Sequence, residues 1–150
     1  MAAYQTVVVG TDGSDSSYLA VDRAAAIAAD NGATLVIACA YHPARPEDVS
    51  RARDELGDDV AYQVVGSTPA EESVRTGAER ARRAGATKID TVVVDGEPVP
   101  TLSKVVAERS ADLLVVGNRG LNTLTGRILG SVPSEAARKS TVDVLIVHTT

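Results

Sequence analysis

Five short runs rich in Val, Leu, Ile and Ala recur along this chain, and a helix-forming stretch lies between most of them. The runs are Thr6–Val9, Thr34–Ala40, Lys88–Val94, Ala111–Val116 and Val142–His148. Such continuous apolar runs fit strands buried on both faces. Strands that alternate with helices specify a parallel sheet with helices on both faces, joined by right-handed crossovers. No repeat or linker divides the 150 residues, so the chain reads as a single α/β domain over 1–150.

Local signals place the helices. Ser14 or Asp15 can cap a helix that runs to about Asn31, with Gly32 as its stop. Its alanines (Ala20, Ala24, Ala25, Ala26, Ala28, Ala29) let it sit close to a sheet. Thr68-Pro69-Ala70-Glu71 has the form of a capping box and opens a helix ending near Ala84-Gly85. Arg75, Glu79, Arg80, Arg82 and Arg83 on that helix read as a solvated face with intrahelical pairs. Pro98 or Pro100 introduces a helix to about Arg109, and Val132–Lys139 forms the last one. Tyr41 to Gly66 is a long polar connection broken by Pro43 and Pro46, with a short exposed helix expected over Glu47–Leu56. Its length and its start beside the second strand suggest a lid.

Composition narrows the function. With four Tyr as the only aromatics, the core must be aliphatic. A net charge of −5 argues against binding a nucleic-acid backbone. No apolar run reaches the length of a membrane span, and Met1-Ala2-Ala3-Tyr4 is no signal peptide. Cys39 is the single cysteine, so the expected home is the reducing cytoplasm. Two histidines and one cysteine at distant positions give no metal-ligand spacing, and no Gly-x-Ser-x-Gly elbow is present.

The chemistry concentrates after the fourth run. Gly117-Asn118-Arg119-Gly120 is followed by nine residues and then Gly130-Ser131, where a helix begins. Strand, glycine loop and helix start are the parts of a phosphate cradle, because backbone N–H groups and the helix dipole attract an anion. Ser131 can cap this helix or donate to a phosphate, and Pro133 suits its first turn. No Gly-Lys-Ser/Thr follows, so this is not a P-loop, and it is not a G-x-G-x-x-G fingerprint. Taken alone, the glycines could equally be turns between strands and helices.

The spacing G-x-x-G, nine residues, G-S resembles the nucleotide-binding signature of the universal stress protein family. The resemblance extends to Val7-Val8-Val9-Gly10-Thr11-Asp12-Gly13-Ser14, to Ala111–Gly117 and to Val142–Val147. It implies a Rossmann-like, doubly wound five-stranded parallel sheet of order 3-2-1-4-5. It also implies a homodimer through the C-terminal strand and an adenine nucleotide at the carboxyl ends of strands 1 and 4. That place also follows from the reversal of strand order there. Carried over by position, the site comprises Gly10, Thr11, Asp12, Gly13, Ala40, Gly117, Asn118, Arg119, Gly120, Gly130, Ser131, Val132, Pro133 and Ser134. Asp12 would sit beside ribose or base, or else cap the turn before the first helix. Ala40 would touch adenine through its backbone. Gly117 and Gly120 would approach ribose and phosphate, and Gly130, Ser131 and Ser134 would hold phosphate. Asn118 and Arg119 depart from the small hydroxyl and His residues often seen in the family, and Arg119 could reach phosphate or solvent.

The expected function is a stress or signalling module that binds cyclic AMP and/or ATP, with no catalytic residue assigned. The alternative is a slow Mg²⁺-dependent ATPase or autophosphorylating protein, with Asp12 holding Mg²⁺ and Ser131 accepting phosphate. ATP brings several negative charges to an acidic chain whose loop cations are Arg119 and Arg127. Dipole help of about 0.3–1 kcal/mol per charge is enough for one phosphate charge and thin for three without Mg²⁺. The chain also resembles the small actinobacterial members of the family, a branch associated with cyclic AMP.

Overall fold

The computed structural model describes residues 2–42, 68–119 and 131–149. Strand β1 (Thr6–Gly10) leads to helix α1 (Asp15–Asn31) and strand β2 (Thr34–Tyr41). Helix α2 (Thr68–Arg83), strand β3 (Lys88–Asp95) and helix α3 (Pro98–Glu108) follow. Strand β4 (Leu113–Gly117), helix α4 (Ser131–Lys139) and strand β5 (Asp143–Val147) complete the described order. All neighbouring strands pair in parallel, in the order β3-β2-β1-β4-β5. This is the doubly wound sheet that the sequence predicts.

The apolar runs work because alternate residues feed opposite layers. Val7, Val9, Leu35, Ile37, Leu113 and Val115 pack under α1 and α2. Val8, Val36, Ala38, Leu114 and Val116 pack under Leu102, Val105 and Val106 of α3 and Ala136 of α4. The chain leaves β1 toward one edge and β4 toward the other. Right-handed crossovers in opposite directions put their helices on opposite faces. The ends of β1 and β4 therefore part with a crevice between them.

Helix α1 starts where Ser14 accepts a hydrogen bond from Ser17 N and stops at left-handed Gly32 (φ 63°), as expected. Ala20, Ala24 and Ala25 are fully buried against the sheet. Arg80 departs from the reading of its helix as purely solvated. It crosses to α1 and makes a two-pronged pair with Asp22 (3.0 and 2.5 Å), lying 5.5 Å from the Tyr18 ring centre. Helical periodicity cannot show this, because the neighbour lies on another helix.

The two sheet edges differ. Lys88, Asp90, Thr91 and Asp95 are exposed on β3, whereas β5 offers half-buried Val144 and Leu145 and an exposed Ile146. The rest of the expected lid beyond His42, the short helix over 47–56 and the loop Gly120–Gly130 with Arg127 lie outside the described residues.

Candidate functional site

The crevice is built first by the turn after β1. Gly10 ends the strand level with Ala38, and Thr11 N donates to Ala38 O (2.9 Å), holding the turn to β2. Thr11 is fully buried and its hydroxyl lies 2.7 Å from that of Ser17. Gly13 N donates to Thr11 Oγ1 (3.1 Å), a hydroxyl turn. Ser14 N donates to Asp12 Oδ1 (2.9 Å). The Asp12 side chain is exposed, and among the described residues its Oδ2 carries no hydrogen bond. Both roles read for Asp12 are thus compatible: one oxygen holds the turn, and the other is uncommitted among the described residues.

Gly13 sits in the left-handed region (φ 84°), and a Cβ there would lie 2.5 Å from Ser73 Oγ on α2. The turn is therefore backed by the second helix. Ala40 is half-exposed near the end of β2. Beneath the site, Cys39 is 4% exposed, and its thiol is pushed up to about 11 by burial, with the Asp12 charge adding to the rise. It stays protonated at neutral pH and offers no nucleophile.

The exit of β4 forms the other wall. Gly117 is buried, with Thr149 Cγ2 at 3.4 Å from where its Cβ would be. Asn118 has another engagement: its Oδ1 accepts from Thr149 N (2.8 Å) and Thr149 Oγ1 (2.9 Å), and its N donates to Val147 O (2.8 Å). Its side chain thus ties the β4 exit to the segment after β5. Arg119 is exposed. On α4, Val132 and Pro133 are buried and Ser134 is exposed, so Ser134 is the accessible side chain of those three. Ser131 begins α4, while Gly120 and Gly130 fall outside the described residues.

The structure thus gathers Gly10–Gly13, Ala40 and Gly117–Arg119 at one pole, the carboxyl ends of the central strands. Thr11, Val132 and Pro133 lie below the surface there. His42 is exposed and 3.5 Å from exposed Glu97. Sequence reasoning weighs Ser17 only as a hydrolase nucleophile, which the lack of a Gly-x-Ser-x-Gly elbow disfavours, and passes over Ser73 and Thr149. Ser17 was legible as the third residue after a capping serine, whereas Ser73 and Thr149 reach the site only through the fold. An acceptor oxygen in a switch-point crevice suits a ligand with hydroxyl or amino donors, such as a nucleoside. The same carboxylate repels phosphate, which directs any phosphate away from Asp12.

Residues 3–148 match the universal stress protein family. The chain is 54% identical over 150 residues to a universal stress protein of Mycobacterium tuberculosis, covering all of both chains. A universal stress protein solved in complex with cAMP superposes with a TM-score of 0.75 at 50% identity, covering 99% of this chain and 100% of that one. A universal stress protein from Archaeoglobus fulgidus shares the fold at 19% identity, with a TM-score of 0.66 over 96% of this chain and 98% of its own. Family match, strand order and near-complete coverage agree, and the chain belongs to the universal stress protein family.

Proposed function

We propose that this protein binds an adenine nucleotide, cyclic AMP and/or ATP, at the carboxyl ends of β1 and β4 and serves as a binding module in stress or signalling. One observation carries the reading: exposed Asp12 at the strand-order reversal, with one carboxylate oxygen held by the Ser14 amide and the other uncommitted among the described residues. A carboxylate there accepts from a ribose hydroxyl or an adenine amino group. Cyclic AMP keeps its 2′-hydroxyl for this bond and carries a single phosphate charge. The relative with cAMP, alike over nearly its whole length, supports this ligand. Phosphate would fall to the start of α4, with Ser131 and the exposed Ser134, and to Gly120 and Gly130. With ATP, Mg²⁺ would offset the added charge.

Assembly follows from the edge of β5. Its unpaired backbone groups and apolar Val144, Leu145 and Ile146 need cover, which an isologous pairing with a second copy would supply. A cytoplasmic setting is the reading for a single buried thiol.

Calorimetry with cyclic AMP and with ATP, each with and without Mg²⁺, tests the binding reading. Saturable cyclic AMP binding that needs no metal is expected, weakened at least about tenfold in Asp12→Asn. A folded protein that binds neither nucleotide would refute it. Turnover of ATP at about 1 per second or faster would favour the enzyme instead.

A further inference from the structure

We infer that Thr11 and Ser17 are positioning residues of this site: a buried, one-way chain of hydrogen bonds through their hydroxyls fixes where the Asp12 carboxylate points. The inference rests on the nucleotide reading above and assigns roles that go beyond it.

The direction of the chain follows from its ends. Ser17 Oγ lies 2.8 Å from Ser14 O, a carbonyl that can only accept, so the Ser17 hydrogen is spent there. The 2.7 Å contact between the two hydroxyls must then use the Thr11 hydrogen. Thr11 Oγ1 is left as acceptor for Gly13 N. The order is Gly13 N–H to Thr11 Oγ1, Thr11 O–H to Ser17 Oγ, and Ser17 O–H to Ser14 O. Each hydroxyl donates once and accepts once, with no donor left over.

Burial makes this order rigid. Thr11 is 0% exposed and Ser17 5%, so water does not compete for either hydroxyl. The Thr11 hydroxyl is thus engaged within the turn, and its place in the site is as a support for Asp12. Asp12 lies between two anchored neighbours, since Thr11 N is held by Ala38 O and Gly13 N by Thr11 Oγ1. Ser14, whose amide holds Asp12 Oδ1, is itself fixed at its carbonyl by Ser17. Removing one hydroxyl orphans a buried group and frees the turn to re-pair. A charge-assisted bond to a ligand is sensitive to such a shift in direction.

The experiment compares Thr11→Val, Thr11→Ser and Ser17→Ala with the unmodified protein. Thr101→Val serves as control, since Thr101 is also buried (4% exposed) but belongs to α3. Calorimetry with cyclic AMP gives Kd, thermal unfolding gives stability, and NMR amide exchange without ligand follows Gly13 and Ser14. Thr11→Val and Ser17→Ala are expected to raise Kd about tenfold and to speed both amides while the β1 and β4 amides stay protected. Thr11→Ser, which keeps the hydroxyl, should bind within about twofold of the parent. Thr101→Val should lose stability without change in Kd. A Thr11→Val protein that binds as tightly as the parent overturns the positioning role, whatever its stability. If the parent binds no nucleotide, the ligand reading fails by itself. Unchanged exchange at Gly13 and Ser14 in Thr11→Val then overturns the positioning role independently.

Discussion

Replacing Gly13 by alanine should expose how closely the β1–α1 turn is fitted to α2. The residue has φ 84°, and an added Cβ would lie 2.5 Å from Ser73 Oγ, 3.4 Å from Ser73 Cβ and 3.9 Å from the Tyr18 hydroxyl. An L-residue held in that region costs about 1–2 kcal/mol. The contact at 2.5 Å is intolerable, so Ser73 must turn away and give up its 2.8 Å bond to Pro69 O. Losing that partly solvated bond costs a further 0.5–1.5 kcal/mol or so. The expected total is about 2–3 kcal/mol, a fall in Tm of about 5–10 °C for a chain of this length. Ser73→Ala alone removes only the hydroxyl bond. In the double variant the nearest atom is the Cβ at 3.4 Å, an ordinary contact, and strain alone remains to be added. The two changes should therefore be less than additive by about 0.5–1.5 kcal/mol in urea unfolding. Additivity to within about 0.3 kcal/mol, or a Gly13→Ala protein as stable as its parent, would refute the close approach of turn and helix.

Cys39 gives a pH dependence with a definite sign. Its ordinary value of 9.0 rises to about 11 on burial, so between those pH values the folded chain keeps a proton that the unfolded chain releases. Stability should fall as pH rises from about 9 to 11, by at most about 2.7 kcal/mol, and Cys39→Ala should remove this decline in pH-dependent urea titrations. Arg80→Met breaks the pair with Asp22, whose side chains are 33% and 36% exposed, and after discounting for solvent should cost about 1 kcal/mol, less at high salt. An unchanged midpoint at low salt would show the pair to be idle. On the proposed β5 pairing, Ile146→Lys places a charge on the 43%-exposed apolar position of β5 and should turn a dimeric parent into a monomer in sedimentation at micromolar concentration; a monomeric parent, or a variant that stays dimeric, would refute that pairing.

The fold was legible because its signals are local and mutually consistent. Runs such as Val7-Val8-Val9 suit both faces of a sheet, and Gly32 marks a helix stop without reference to anything distant. The strand order came from family resemblance, since periodicity does not say which strands are neighbours. Asp12 could be placed because a turn after the first strand of such a sheet opens at the crevice. The buried role of Thr11 could not, because a hydroxyl beside a motif looks the same whether it faces ligand or core. Asn118 shows the same limit: its acceptor is taken by Thr149, 31 residues later in sequence. Arg80 was read with its own helix, and only packing reveals that its carboxylate lies on α1.

The bond between Thr149 and Asn118 also bears on how the protein can be instrumented. Strand β5 runs parallel to β1 and β4, so His148 and Thr149 emerge at the same pole as Asp12 and Gly117. The other end of the described chain is far away, with Ala3 and Tyr4 held by Asn31 at the amino pole of the sheet. An affinity handle on the amino side leaves the crevice undisturbed, whereas one joined after β5 pulls on the residues that hold the β4 exit. The same geometry offers a reporter. His148 is exposed while Cys39 is buried with a protonated thiol, so a His148→Cys protein should take a single maleimide dye. Its emission should track nucleotide titration through the Asn118 link, and a flat response at saturation would mean that this segment does not sense the ligand.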